Sequence, residues 1–98
     1  MDFIDDLVLR LSEAIKARPA PSNSLKIKVK DLGVIVATQS LITREEIPAD
    51  TEIALSRADC EKLIAGKLNP QMAYLQGKIK ITGDPAMVLQ WLPIVLGK

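Results

Sequence analysis

The stretch that decides the fold is Gly66-Lys67-Leu68-Asn69-Pro70-Gln71-Met72-Ala73-Tyr74-Leu75-Gln76-Gly77-Lys78-Ile79-Lys80-Ile81-Thr82-Gly83-Asp84. It changes backbone habit repeatedly within one short run. Asn69 is a good helix cap and Pro70 suits the first helical position, so a short helix is expected from Pro70 to Gln76. Gly77 stops it. Lys78 to Thr82 alternates charged and apolar residues, the mark of a strand with one wet and one dry face. Gly83-Asp84-Pro85 then reads as a turn, a cap and a helix start.

The helix that follows is built almost wholly of hydrocarbon. From Ala86 to Leu96 the one strongly polar side chain is Gln90. Helix is expected from Ala86 to about Leu92, with Pro93 kinking or ending it. A helix apolar on all sides is buried all round, or faces lipid or a partner. Three readings stay open here: a core helix, the wall of a lipid cavity, or a dimer or membrane contact.

Working upstream, Asp2 to about Arg18 is an amphipathic helix, with Ile4, Leu7, Val8, Leu11 and Ile15 at three- and four-residue spacing. Acidic residues early and basic residues late suit the helix dipole. Pro19 to Ser24 forms a loop. Leu25 to Lys30 alternates apolar residues with lysine and is a strand. Asp31-Leu32-Gly33 is a turn in which Gly33 is free to take positive φ. Val34 to Thr38 is β-branched and apolar, expected as a strand buried on both faces. Gln39 to Ile42 extends it or begins a third strand. Thr43 to Asp50 is polar and turn-like, and Thr51 to Leu55 alternates again. Ser56 caps a helix through Ala65, with Asp59 in a capping-box-like position, and Gly66 ends it.

The order is helix, strands, two short helices, strand, helix. It predicts an α+β fold: an antiparallel-dominated sheet of about five strands, covered on one face by helices. Lys26, Lys28, Lys30, Lys78 and Lys80 are expected to look at water from the other face. Such a row is usually just solvated, but it also fits transient contact with an anionic membrane surface.

Composition narrows the function. The 98 residues fit one domain, residues 1–98. A chain this long buries roughly 60–70% of the surface its unfolded form exposes. The net charge of +1 gives no global field for nucleic acid. Phe3, Tyr74 and Trp91 are too few aromatics for a base-stacking platform. No histidine is present, which removes the usual Ser–His and Cys–His nucleophile pairs and the commonest zinc ligand. Cys60, the one cysteine, cannot form an internal disulfide and is expected as an inert packed thiol. A protein folded without metal or cofactor is expected, in a reducing, cytoplasmic setting. The acidic start MDFIDD is unlike a signal peptide. The apolar run from Pro85 to Gly97 is shorter than the ~20 residues a spanning helix needs.

Residues 66–84 also carry a resemblance. Gly66-Lys67-Leu68-Asn69-Pro70-Gln71, Ala73, Leu75-Gln76-Gly77-Lys78-Ile79-Lys80-Ile81, Gly83-Asp84, and then Ala86-Met87 with Leu89, resemble the sterol carrier protein type 2 domain family. Thr51 to Ser56 looks like the strand and cap before that family's central helix. Two departures bear on the tunnel mouth and the ligand. The connection from Gly83-Asp84 to Ala86-Met87 is shorter than the family pattern, and Val88 stands where a lysine is common.

The resemblance implies a hydrophobic tunnel between sheet and helices and non-enzymatic binding of a sterol, fatty acid or acyl-CoA, with transfer or presentation of that lipid. The alternative it implies is an accessory module that holds a prenyl or quinone lipid for partner enzymes. Its pattern associates Gln76 with the ligand pocket, where an amide can bond a head group; the other reading is a solvent-exposed amide at the helix end. Met72, Leu75, Met87, Leu89, Trp91 and Leu92 complete the expected ligand-binding set. Met72 and Met87 are adaptable enough for a cavity wall but are also ordinary gap-fillers. A monomer or weak homodimer is expected, with no nucleic acid partner.

Overall fold

The computed structural model describes residues 2–96. Helix α1 (Phe3–Ala17) begins where a carboxylate precedes the apolar stripe. Asp2 Oδ1 accepts the Asp5 N–H at 2.8 Å. That bond, with help from Arg44, holds the Asp2 carboxyl below the usual carboxylate range. Ile4, Leu7 and Leu11 face inward and are buried.

The sheet contains β1 (Leu25–Val29), β2 (Gly33–Ala37), β3 (Ile42–Thr43), β4 (Thr51–Leu55) and β5 (Lys80–Thr82), in the order β3-β2-β1-β4-β5. β1–β2, β2–β3 and β4–β5 are antiparallel, whereas the central β1–β4 pair is parallel. The sheet is therefore mixed, although antiparallel pairs dominate as expected. Alternation holds along β1 and β4: Leu25, Ile27, Val29, Ile53 and Leu55 all point into one core cluster. At the β1–β2 turn, Asp31 takes φ 65° and Gly33 φ 146°. Aspartate is among the few residues that tolerate the left-handed region.

The parallel pair has a cost. Residues 44–50 must carry the chain from edge strand β3 past β2 and β1 to β4. Arg44 anchors the start of this crossover to α1, with Nη1 2.7 Å from Asp5 and 3.4 Å from Asp2. Glu46 then reaches Lys26 Nζ at 3.3 Å and leaves that side chain only 14% exposed. Val36, beside Lys26 on the outer face, is 0% exposed. The lysine face thus looks at water at Lys28, Lys30, Lys78 and Lys80, whereas Lys26 is covered by the crossover.

The helical layer is completed by α2 (Arg57–Ile64), α3 (Pro70–Leu75) and α4 (Pro85–Leu96). Ser56 Oγ accepts the Asp59 N–H at 3.1 Å, and Asn69 Oδ1 accepts from Gln71 and Met72 at 2.9 and 3.2 Å. α1 lies over β2 and β3 and against α4, and α4 covers β4 and touches α2.

Two boundaries differ from the sequence reading, each for a physical reason. The last strand was expected from Lys78 but begins at Lys80. Lys78 and Ile79 give their N–H groups to Ala73 O at 2.8 and 3.3 Å, and Gly77 gives its own to Tyr74 O at 3.1 Å. This left-handed helix stop at Gly77, φ 76°, uses the amides that a longer strand would need. α4 does not end at Leu92 but runs through Pro93 to Leu96. An interior proline costs about 3 kcal/mol. Burial of Ile94 and Val95, at 2% and 4% exposure, offsets it at about 1.5–3 kcal/mol each. Pro93 itself is exposed, so its ring meets water and not a neighbouring element.

Candidate functional site

The apolar helix α4 has three faces, and these separate its roles. Pro85, Val88, Leu89 and Leu92 follow one face at the i, i+3, i+4, i+7 spacing and line a groove. Trp91, Ile94 and Val95 follow another and are buried in the core. Gln90 is exposed and accepts a bond from Asn23 Nδ2 at 2.8 Å.

The groove holds a cavity of about 280 Å³. Its floor is Ile53 from β4 and Ile81 from β5, neighbours in register, with Ile79 just before β5. Leu63 of α2 also lines it. One wall is α4, and the other is α3, through Pro70, Gln71, Tyr74 and Leu75. Of these groups, only the Gln71 side-chain amide and the Tyr74 hydroxyl are polar. The volume lies just under the ~300–1,000 Å³ common for small-molecule sites. A larger guest therefore needs one wall to give.

α3 is the more lightly packed wall. Ala73, at 0% exposure, is its one buried residue, while Met72, Tyr74 and Leu75 are 51%, 44% and 78% exposed. Its ends are fixed by the Asn69 cap and the Gly77 stop, not by deep packing. α4 by contrast is pinned: Trp91 is fully buried and its Nε1–H donates to Asn23 Oδ1 at 3.0 Å. Asn23 thus ties the α1–β1 loop to α4 through both Trp91 and Gln90.

Of the residues expected to bind ligand, the structure brings Leu75, Leu89 and Leu92 together around the groove. Met72, Gln76 and Met87 lie outside the lining, and Trp91 faces the core. Sequence reasoning missed Ile53 and Ile81 of the strands, Ile79 just before β5, Leu63 of α2, and Pro70, Gln71, Tyr74, Pro85 and Val88 of the two walls as lining residues. Val88 shares the 85, 88, 89, 92 face, but in a helix this apolar throughout the spacing singles out no face. The strand residues gave no signal, because an inward strand residue reads the same over a cavity as under a helix. Cys60 is buried on α2 and lines no part of the groove. Desolvation, with a smaller push from Glu61, raises its thiol from 9.0 to about 11.

A mixed sheet under four helices, with an apolar groove opening between two of them, defines a small α+β domain with a hydrophobic cavity. The model of the SCP-2 sterol transfer family matches residues 6–95, and the chain belongs to that family. Sterol carrier protein 2 of Oryctolagus cuniculus is 43% identical over 61 residues, which cover 60% of this chain and 11% of that protein. The match thus spans about a tenth of that relative's length.

Among solved structures, sterol carrier protein 2 of Aedes aegypti in complex with the C16 fatty acid palmitate superposes with a TM-score of 0.80 at 12% identity. The likeness covers 97% of this chain and 96% of that one. The ubiquinone synthesis protein UbiJ-SCP2 gives a TM-score of 0.65 at 16% identity, over 98% of this chain and 93% of that one. At such identities both likenesses concern the fold. No helix among the described residues is long and apolar enough to cross a membrane.

Proposed function

We propose that this chain works as a single lipid-binding domain. It takes a fatty acid, sterol or acyl-CoA into the α3–α4 groove and carries or presents it without chemistry. The observation that carries this reading is the groove itself, apolar but for the Gln71 amide and the Tyr74 hydroxyl, with one wall lightly held. Each methylene moved from water onto Ile53, Ile81, Val88 and Leu92 gains about 0.8 kcal/mol. A long chain thereby offsets its ordering cost and the outward movement of α3. In this reading Leu75, Leu89 and Leu92 touch the ligand, and Trp91 is the anchor that keeps α4 in place while α3 moves. Membership of a sterol transfer family supports the reading, as does the palmitate held by the Aedes aegypti relative.

A second reading has an observation of its own. The groove opens along its side, where Leu75 and Leu89 are 78% and 49% exposed. An open side suits a module that holds a prenyl or quinone lipid for a partner enzyme, and the shared fold with a ubiquinone synthesis protein fits it. The lone buried thiol fits work in the cytoplasm, as a monomer or weak homodimer. The four exposed lysines fit passing contact with anionic membrane.

Mass spectrometry of lipid extracted from purified protein tests these readings. Acyl lipid or sterol at about one per chain is the expected result. A prenyl lipid selects the second reading. Failure of every lipid class to bind on titration overturns both.

A further inference from the structure

Two surfaces of opposite character meet at the β5 edge. On the outer face, Lys28, Lys30, Lys78 and Lys80 ring a concavity of about 450 Å³. Lys28 and Lys80 flank Ala54 in register, so a small side chain lies between two long cations. Two acidic groups answer them: Asp59 lines the concavity, and Glu52 pairs with Lys28 at 3.9 Å. Lys30, Lys78 and Lys80 make no ion pair among the described residues. On the helical side of the same edge, α3 leaves Met72 and Leu75 more than half exposed. Only Gln76 and Gly77 separate Leu75 from Lys78.

Apolar side chains beside unpaired lysines are what an interface between water and anionic lipid recognises. Lysine stems lie along apolar surface while the ammonium groups reach the phosphates. A second copy of the chain fits poorly, because a symmetric contact at this edge sets lysines against lysines.

We propose that α3 and the β5 edge dock onto an anionic phospholipid bilayer. Met72 and Leu75 enter the acyl boundary, Lys28, Lys78 and Lys80 engage headgroup phosphates, and the open side of the groove is turned toward the membrane. This rests on the lipid-binding reading above and adds the face that meets the donor membrane. It also gives the weak hold on α3 a use. When α3 swings outward at the bilayer, its apolar side and the groove floor meet acyl chains instead of water.

The test is sedimentation of the full chain with phosphatidylcholine–phosphatidylserine vesicles and with phosphatidylcholine vesicles alone. Alongside it, a fluorescent fatty acid is titrated without vesicles. Each lysine at an anionic surface contributes about a fivefold gain in partitioning. The pair Lys78→Gln and Lys80→Gln is therefore expected to weaken binding to the anionic vesicles about 25-fold. Met72→Ser should weaken it several-fold, and both variants should bind fatty acid normally.

The charge-matched pair Lys16→Gln and Arg18→Gln, at the end of α1, should lose far less. Equal loss in the two pairs overturns the proposal, since net charge and not this edge then sets binding. So does indifference to all these changes, or a dimer in solution that Met72→Ser dissociates. A chain that shows the expected vesicle pattern but takes no fatty acid sinks the groove reading and leaves the docking edge standing.

Discussion

The sheet is roofed twice, and the two roofs are built differently. Over β2 and β3, α1 buries Ile4, Leu7 and Leu11 of its apolar stripe, Leu11 at 0% exposure. Beside the cavity floored by β4 and β5, α3 buries one alanine and leaves Leu75 78% exposed. The sequences of the two ends are similarly apolar. The difference teaches that hydrophobic content sets how much surface can be buried, while helix length and caps decide how much is. A helix of fifteen residues buries a stripe; one of six, held by an asparagine cap and a glycine stop, covers a gap. Burial is then deepest under α1 and at Trp91, and the apolar groove lies beside α3.

The largest expected effect tests that division directly. Leu11→Ala should cost about 2–5 kcal/mol in urea unfolding, from lost transfer energy and the cavity left behind. Leu75→Ala should stay within about 0.5 kcal/mol, as an exposed site does. Similar costs at the two positions would break the comparison.

The next effect concerns the pin that holds α4. Asn23→Ala leaves the buried Trp91 N–H without its acceptor, at about 1–3 kcal/mol. Adding Trp91→Phe removes the orphaned donor, so the second change should cost less in the Asn23→Ala background than alone. Strict additivity would mean that the bond pins nothing.

A third measurement sharpens the functional side. Leu89→Asp puts a charge on the groove wall at a half-exposed position. Fatty-acid affinity should fall at least about tenfold, or ~1.4 kcal/mol. The unfolding midpoint should move much less than for Leu11→Ala. If stability collapses with affinity, α4 has no separate groove face.

The last and smallest effect is the pH dependence set by Cys60. Its thiol is raised from 9.0 to about 11 in the fold, so folding favours the neutral form. The contribution is fully present below about pH 9 and is lost as pH climbs from 9 toward 11, where the unfolded thiol ionises first. Cys60→Ala should flatten the fall in stability across that window, on top of a packing cost that is the same at every pH. An unchanged slope would show that the thiol is not desolvated.

Much of this was legible in residues 66–84. The Asn69-Pro70 start, the Gly77 stop and the Asp84 cap, whose Oδ1 accepts the Ala86 N–H at 2.9 Å, stand where local chemistry demands. What the sequence hid depended on distant partners. Nothing near Pro93 announces that Ile94 and Val95 find a core deep enough to carry the helix past it. Nothing in the Lys26 alternation reveals that Glu46 will cross above it. The groove-facing side of α4 was obscured by composition, because periodicity cannot distinguish faces when nearly every residue is apolar. Trp91 was expected beside the ligand because it stands on the right helix. Its indole instead turned to Asn23, which supplies the acceptor that a buried N–H requires.

The sheet ends at both sides in its two shortest strands, β3 with two residues and β5 with three. An unpaired strand edge is a template on which another chain can grow, and longer flat edges recruit neighbours into aggregates. Here each edge offers too few free backbone groups for a stable intruding strand. A protein that keeps hydrocarbon side chains open to water must resist such growth at concentration. The brevity of its outermost strands gives it that colloidal safety without closing the groove.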